Sequence, residues 1–152
     1  IEDKAEAARI IKNFITRQGE SLEGGVVLRK FESLKCIGKH KDSGMPISEE
    51  YRIFVFNGKI LTADNYWNKD KEVNISEDEY AWIESVASKV ESGFVTVDLA
   101  READGSLIIM EMGDGQVSGL QQIEAYEFYR GFQNQSKENI YSIDYVKNTL
   151  RD

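Results

Sequence analysis

Asp98 and Glu111 flank an Asp104-Gly105 dipeptide in the run FVTVDLAREADGSLIIMEM. Asp-Gly between two apolar segments is a hairpin signal, because a type I′ turn needs φ > 0 at both central residues. If Asp104-Gly105 is a two-residue loop, Ala103 faces Ser106, and counting back along both strands brings Asp98 opposite Glu111. Directly opposed residues hold their Cβ atoms about 4.5–5.5 Å apart on one face, and two like charges so placed destabilise a sheet. Something positive must offset them: a divalent cation, an Arg or a Lys. Carboxylate oxygens without His or Cys suit Mg²⁺ or Mn²⁺. On this register Thr96, Ala100 and Ile109 share the carboxylates' face. The competing readings are a solvated surface pair and carboxylates neutralised by structural arginines. A register slip of one residue would send the two side chains to opposite faces.

Arg29 and Arg52 stand inside apolar segments, VVLRKF and YRIFVF. An arginine among apolar strand neighbours has a defined anionic partner. That partner is a phosphate, whose geometry the guanidinium fork matches, or Asp98, Glu111, or water at a sheet edge. The segment following Glu111 carries Gly113, Gly115 and Gly119, which permit close backbone approach to a ligand. Asp114 and Gln116 add oxygen ligands within it. Other chemistry-bearing residues have plainer readings. His40 lies between two lysines as a solvated side chain, and Cys36 is a small, partly buried residue. Tyr66 and Trp67 could stack on a planar ligand but read first as cover for the core. The acidic Glu77-Asp78-Glu79 is explained by the favourable charge at a helix N-terminus.

The elements that would position these residues follow from periodicity. Residues 4–16 place Ala7, Ile10, Ile11, Phe14 and Ile15 on one helical face. VVLRKF (26–31) reads as a strand, and residues 35–48 as a polar loop. Residues 51–56 and 59–64 form a hairpin about Asn57-Gly58, and residues 65–75 a second loop. Ser76 and Glu79 make a capping box for a helix running towards Gly93. After the second hairpin, residues 121–133 read as a helix with Ile123, Tyr126, Tyr129 and Phe132 on one face. The polar tail from 134 is peripheral, with Ile140, Ile143, Tyr145, Val146 and Leu150 able to form a short helix. The expected fold class is α+β, a mostly antiparallel sheet with flanking helices.

Composition narrows the chemistry further. The chain has 152 residues, 19 Lys+Arg against 27 Asp+Glu, a net charge of −8, and one His, one Cys and one Pro. That length suits one domain with a real core. One Cys excludes an internal disulfide and one His excludes a His/Cys zinc site within the chain, so a reducing, cytoplasmic setting is expected. The net negative charge argues against nucleic acid as a partner, and no apolar run is long enough for a membrane span.

The succession VVLRKF, EYRIFVFNGKIL, FVTVDLA and DGSLIIMEMGDGQVSGL resembles the ATP-grasp superfamily, in the clade named for two arginines and a lysine. The likeness runs from about residue 24 to about residue 130. It implies an ATP-grasp-like C-terminal lobe, in a fold that sandwiches ATP between two α+β lobes. It implies activation of a small-molecule carboxylate as an acyl phosphate, which an amine or thiol acceptor then attacks. By the resemblance Arg29 and Arg52 are catalytic residues contacting phosphates, Asp98 and Glu111 hold Mg²⁺, and Asp114 and Gln116 lie on the cofactor-binding side. Many ATP-grasp enzymes place Asn two residues after the metal-binding Glu; here that position is Gly113. The lysines that grip ATP phosphates in the family lie upstream of the first helix here. Residues 1–152 are therefore expected to be a single domain forming the C-terminal part of a longer ligase, inactive in isolation and compatible with a homodimer. The alternative is a non-catalytic nucleotide-binding or protein-interaction module.

Overall fold

In the computed structural model, residues 3–67 and 71–135 are described, so most of the predicted tail beyond residue 134 lies outside them. The contacts divide the chain into two units, residues 1–32 and 33–152.

The first unit holds helix α1, Lys4–Gln18. Asp3 caps it, its carboxylate accepting the amides of Ala5 (2.7 Å) and Glu6 (2.8 Å), so the start of the helix is satisfied locally. Residues 25–33 form neither helix nor strand, which corrects the strand expected at 26–31. Val27, Leu28 and Phe31 are exposed there. Strand propensity reflects packing against neighbours, and no described strand pairs with this segment.

In the second unit, residues 35–48 are not a loop. Strands β1 (Cys36–Lys39) and β2 (Pro46–Ser48) pair antiparallel. Their connection closes through His40 N–H to Met45 O (2.8 Å) and Gly44 N–H to His40 O (2.9 Å), with Gly44 at φ 68°. Strands this short and polar leave no alternation to read.

The main sheet is antiparallel, with β3 (Glu50–Phe56), β4 (Lys59–Asn65), β5 (Phe94–Arg101) and β6 (Leu107–Asp114) in the order β4-β3-β5-β6. The α+β class holds. Asn57 and Gly58 both have positive φ, 49° and 74°, as the tight turn between β3 and β4 requires. Helix α2 (Glu77–Ala87) covers one face, where Ile83 and Ala87 meet Ile53, Val55, Val95, Val97 and Leu99. It ends at Ala87 with Ser88 as its cap, short of the Gly93 expected. The other face is covered at one end by the helix of residues 125–135. There Phe128 stands edge-on to Phe54 at 4.9 Å and Phe132 edge-on to Phe56 at 5.1 Å. Covered on both sides, β3 is buried from Tyr51 to Val55. Among the described residues no helix is long and apolar enough to cross a membrane.

Arg101, which sequence reasoning passed over, ties α2 to the sheet. Its Nη1 donates to Glu79 Oε1 (2.8 Å) and to the turn carbonyl of Gly105 (2.7 Å), and its Nη2 donates to Asn74 O. Glu79 simultaneously closes the capping box, accepting Ser76 N–H at 2.8 Å. On the same side Glu49 accepts the Tyr51 hydroxyl (2.6 Å) and pairs with Lys35 Nζ (2.6 Å). Burial and the Glu49 carboxylate together push the Tyr51 phenol up to about 12.

These contacts can be tested at Gly131 and at Glu79. A Cβ on Gly131 would lie 2.7 Å from Leu61 O, at the irregularity between Phe54 and Val55 where β4 bulges. Helix propensity alone makes Gly→Ala stabilising by roughly 0.5–1 kcal/mol. Gly131→Ala is expected instead to destabilise by about 1–3 kcal/mol through overpacking, read from urea unfolding. The Arg101 guanidinium, outweighing burial and aided by Ser76, holds the Glu79 carboxyl down at about 2, against an ordinary value of 4.5. A depressed folded-state value gives stability that is complete above the ordinary value and is lost as pH falls towards the folded one. The stability gap between wild type and Glu79→Gln should therefore be widest above pH 4.5 and close towards pH 2. A gap that stays constant with pH would rule this out.

Candidate functional site

Arg52 on β3 is opposite Asp98 on β5, and Asp98 is opposite Glu111 on β6. Asp64 on β4 is the partner of Arg52 on its other side. Cross-strand partners share a face, so Asp64, Arg52, Asp98 and Glu111 form one row across all four strands. The row lies on the same face as Phe54 and Thr96, away from α2.

The predicted pairing of Asp98 with Glu111 is present, but the turn that led to it is different. Glu102 N–H bonds Ser106 O (2.8 Å) and Gly105 N–H bonds Glu102 O (3.0 Å), so the loop spans residues 103–105 with Gly105 at φ 96°. From there the ladder runs Arg101↔Leu107, Ala100↔Ile108, Leu99↔Ile109. A bulge between Asp98 and Leu99 leaves Met110 unpaired and restores Asp98↔Glu111. A longer turn and an extra strand residue cancel at Asp98 and nowhere nearer the turn. Ile109 consequently joins the core beside α2 instead of the carboxylates' face, and Ile108 takes the place expected for it.

The charge opposite Asp98 is Arg52. Arg52 Nε donates to Asp98 Oδ1 (2.8 Å) and Nη2 to Oδ2 (2.5 Å), a two-pronged pair whose side chains are 10% and 13% exposed. Nη1 donates to Gly119 O at 2.8 Å. The Tyr66 ring covers the guanidinium at 5.0 Å, so Tyr66 belongs to the site and not to the core. The Asp98 hydrogen bond, exceeding the opposing effect of burial and assisted by Tyr66 and Glu111, raises the Arg52 pKa. Glu111 itself is exposed.

The glycine segment is drawn down onto this face. Ser118 Oγ lies 2.8 Å from Thr96 Oγ1, and Gln121 Nε2 donates to Tyr66 Oη at 3.3 Å. A Cβ on Gly113 would meet Thr96 Oγ1 at 2.9 Å and Ser118 Oγ at 3.2 Å. That close approach is a steric reason for glycine at position 113. On Gly115 a Cβ would strike the Phe94 ring at 2.7 Å. Asp114 pairs with Val95 and so belongs to the opposite face from Glu111. Its Oδ1 accepts Gln116 N–H at 2.8 Å. Asp114 is thus engaged with the Gln116 backbone in a local turn, on the face opposite the Asp98–Glu111 pair. Arg29 is exposed in the first unit.

The donor set suits a hard cation shared with a phosphate. Among the described residues no group of three or more His, Cys, Asp or Glu assembles to hold a metal. Mg²⁺ is commonly bound by one or two carboxylates, with waters and substrate phosphates completing its octahedron. Each Asp98 oxygen accepts one guanidinium N–H, and a carboxylate oxygen has a second lone pair, so Asp98 can serve Arg52 and a cation together.

The two carboxylates should differ sharply in their cost to the fold. Removing one partner of a buried pair leaves the other charge uncompensated, at about 3–5 kcal/mol. Asp98→Ala is expected near the lower end of that range. Glu111→Ala, at an exposed position, should stay within about 0.5 kcal/mol of wild type. Denaturant unfolding of both variants measures the difference, and equal losses would contradict the roles described.

A family model of the ATP-grasp domain, that of family 3 in the clade named for two arginines and a lysine, matches residues 1–131. No curated protein matches the chain. The match takes in the Arg52-bearing strand, the Asp98–Glu111 hairpin and the glycine segment, as the sequence resemblance implied. The chain belongs to the ATP-grasp superfamily, in family 3 of that clade.

Proposed function

We propose that the whole protein is an ATP- and Mg²⁺-dependent ligase joining a small-molecule carboxylate to an amine or thiol. In that reaction class a carboxylate oxygen takes the terminal phosphoryl group of ATP and ADP leaves. The acceptor nitrogen or sulfur then attacks the acyl carbon, and inorganic phosphate leaves. The observation that carries the reading is the facing of Asp98 and Glu111 on adjacent strands, in a chain of this family. Two like charges held together beside one arginine leave negative charge to be met by a cation.

Asp98 and Glu111 would hold Mg²⁺. When bound, the ion supplies charge neutralisation between phosphate oxygens, the main requirement of phosphoryl transfer. Arg52, whose three nitrogens bond Asp98 and Gly119 O, would orient the Asp98 carboxylate, in place of the phosphate contact that the resemblance implies. Arg29 would contact a phosphoryl oxygen; this rests on the family pattern alone. Asp114 and Gln116 enter through the turn they form, which shapes the segment leading to Gly119 on the acceptor side.

Glu111→Gln removes a metal-side charge with little cost to the fold, so it separates binding from folding better than a change at Asp98. Calorimetry on the full-length protein should show Mg-ATP affinity lower by at least about tenfold, equivalent to about 1.4 kcal/mol. The circular dichroism spectrum should be unchanged. Wild-type affinity in this variant would sink the assignment.

A further inference from the structure

We infer that Arg52 is a positioning residue that joins the Asp98 carboxylate and the 115–121 loop into one unit, so that neither takes its orientation without the other. The coupling stands on geometry; its consequence in catalysis rests on the metal role proposed above for Asp98.

The coupling is in how the guanidinium is used. One edge, Nε and Nη2, grips both oxygens of Asp98. The remaining nitrogen, Nη1, holds the carbonyl of Gly119. The ring of Tyr66 covers the guanidinium face, and Gln121 of the same loop reaches the Tyr66 hydroxyl. Arg52 is 8% exposed, so these bonds are made largely out of water, where a hydrogen bond from a charged donor is strong and a lost one is costly. Lysine has no planar fork to reproduce the two edges. Ser118 also anchors the loop, to Thr96 and to the Asp114 carbonyl, but through the bonds of a neutral hydroxyl. Arg52 is therefore a charged tie between the loop and the central strands. A carboxylate that binds a cation depends on the groups bonded behind it, and removing such partners commonly weakens metal affinity about 10–100-fold.

The test uses the full-length protein and reads two quantities. The first is amide hydrogen exchange of residues 115–121 without added cation, where the amides of Gly115, Gln116, Val117 and Ser118 donate to acceptors on Phe94 and Asp114. The second is the affinity for Mn²⁺ with a non-hydrolysable ATP analogue, followed by electron paramagnetic resonance. Arg52→Lys, Asp98→Asn and the double variant are compared with wild type. The expected result is faster exchange confined to the loop in both single variants, with no further gain in the double. Mn²⁺ affinity should be about 10–100-fold weaker in Arg52→Lys. Wild-type exchange in Arg52→Lys overturns the inference, and so do effects of the two substitutions that simply add. Faster, non-additive loop exchange with unchanged Mn²⁺ affinity in Asp98→Asn supports the tie and removes only the metal assignment. If either single variant fails to fold, Tyr66→Leu strips the ring from the guanidinium while leaving the ion pair. It should quicken loop exchange while the core strands stay protected, and unchanged loop exchange there counts against the tie.

Discussion

The pairing of Arg52 with Asp98 is the interaction on which this face of the sheet depends. Both side chains rise from the two central strands, where solvent is largely excluded and an unpaired charge would cost several kcal/mol. The pair is tolerable because its geometry is complete. The carboxylate receives two parallel hydrogen bonds, the third donor nitrogen finds a carbonyl, and an aromatic ring covers the flat face. That arrangement holds the Asp98 carboxylate in place beside the exposed Glu111. The face also carries Asp64, so the row of Asp64, Arg52, Asp98 and Glu111 presents net negative charge on a surface built from rigid strands.

The two faces of the sheet solve different problems. Towards α2 the strands present Ile53, Val55, Val97 and Leu99, and a second arginine, Arg101, is spent on the helix cap and the hairpin turn. On the other face the aromatic cluster of Phe54, Phe56 and Phe94 with Phe128 and Phe132 ends where the charged row begins. Close packing at one end thus supports an ionic surface at the other. Gly113 and Gly115 let the chain after β6 lie against Thr96 and Phe94 and bring Gly119 to Arg52. Gly113 and Gly115 thus serve close approach to the protein's own side chains.

Two local signals in the sequence match the structure directly. The Asn57-Gly58 turn and the Ser76–Glu79 capping box each rest on neighbours a few residues away, whereas β3 is buried by α2 and by the helix of residues 125–135. The second hairpin is more instructive. Asp98 and Glu111 do face each other, yet the turn is one residue longer than Asp-Gly suggests and a bulge at Met110 compensates. Turn type and bulge both depend on twist and packing, so Ile109 lies on the face opposite the one its spacing predicts. VVLRKF shows the opposite failure: strand-forming residues without a neighbouring strand among the described residues.

Residue types and their order along the chain are enough to establish the α+β class, the family, and the groups available for chemistry: carboxylates, arginines and backbone. Spacing across one hairpin also sets Asp98 against Glu111. Which cation answers Asp98 is a matter of assembly. Arg52 and Asp98 are brought together across β3 and β5, whose register is set by sheet formation through β4 and α2 and by no turn between them. The same assembly brings Gly119 and Tyr66 to the guanidinium and sends Asp114 to the opposite face from Glu111. Contacts between elements distant in sequence follow from packing geometry, which pattern along the chain does not contain.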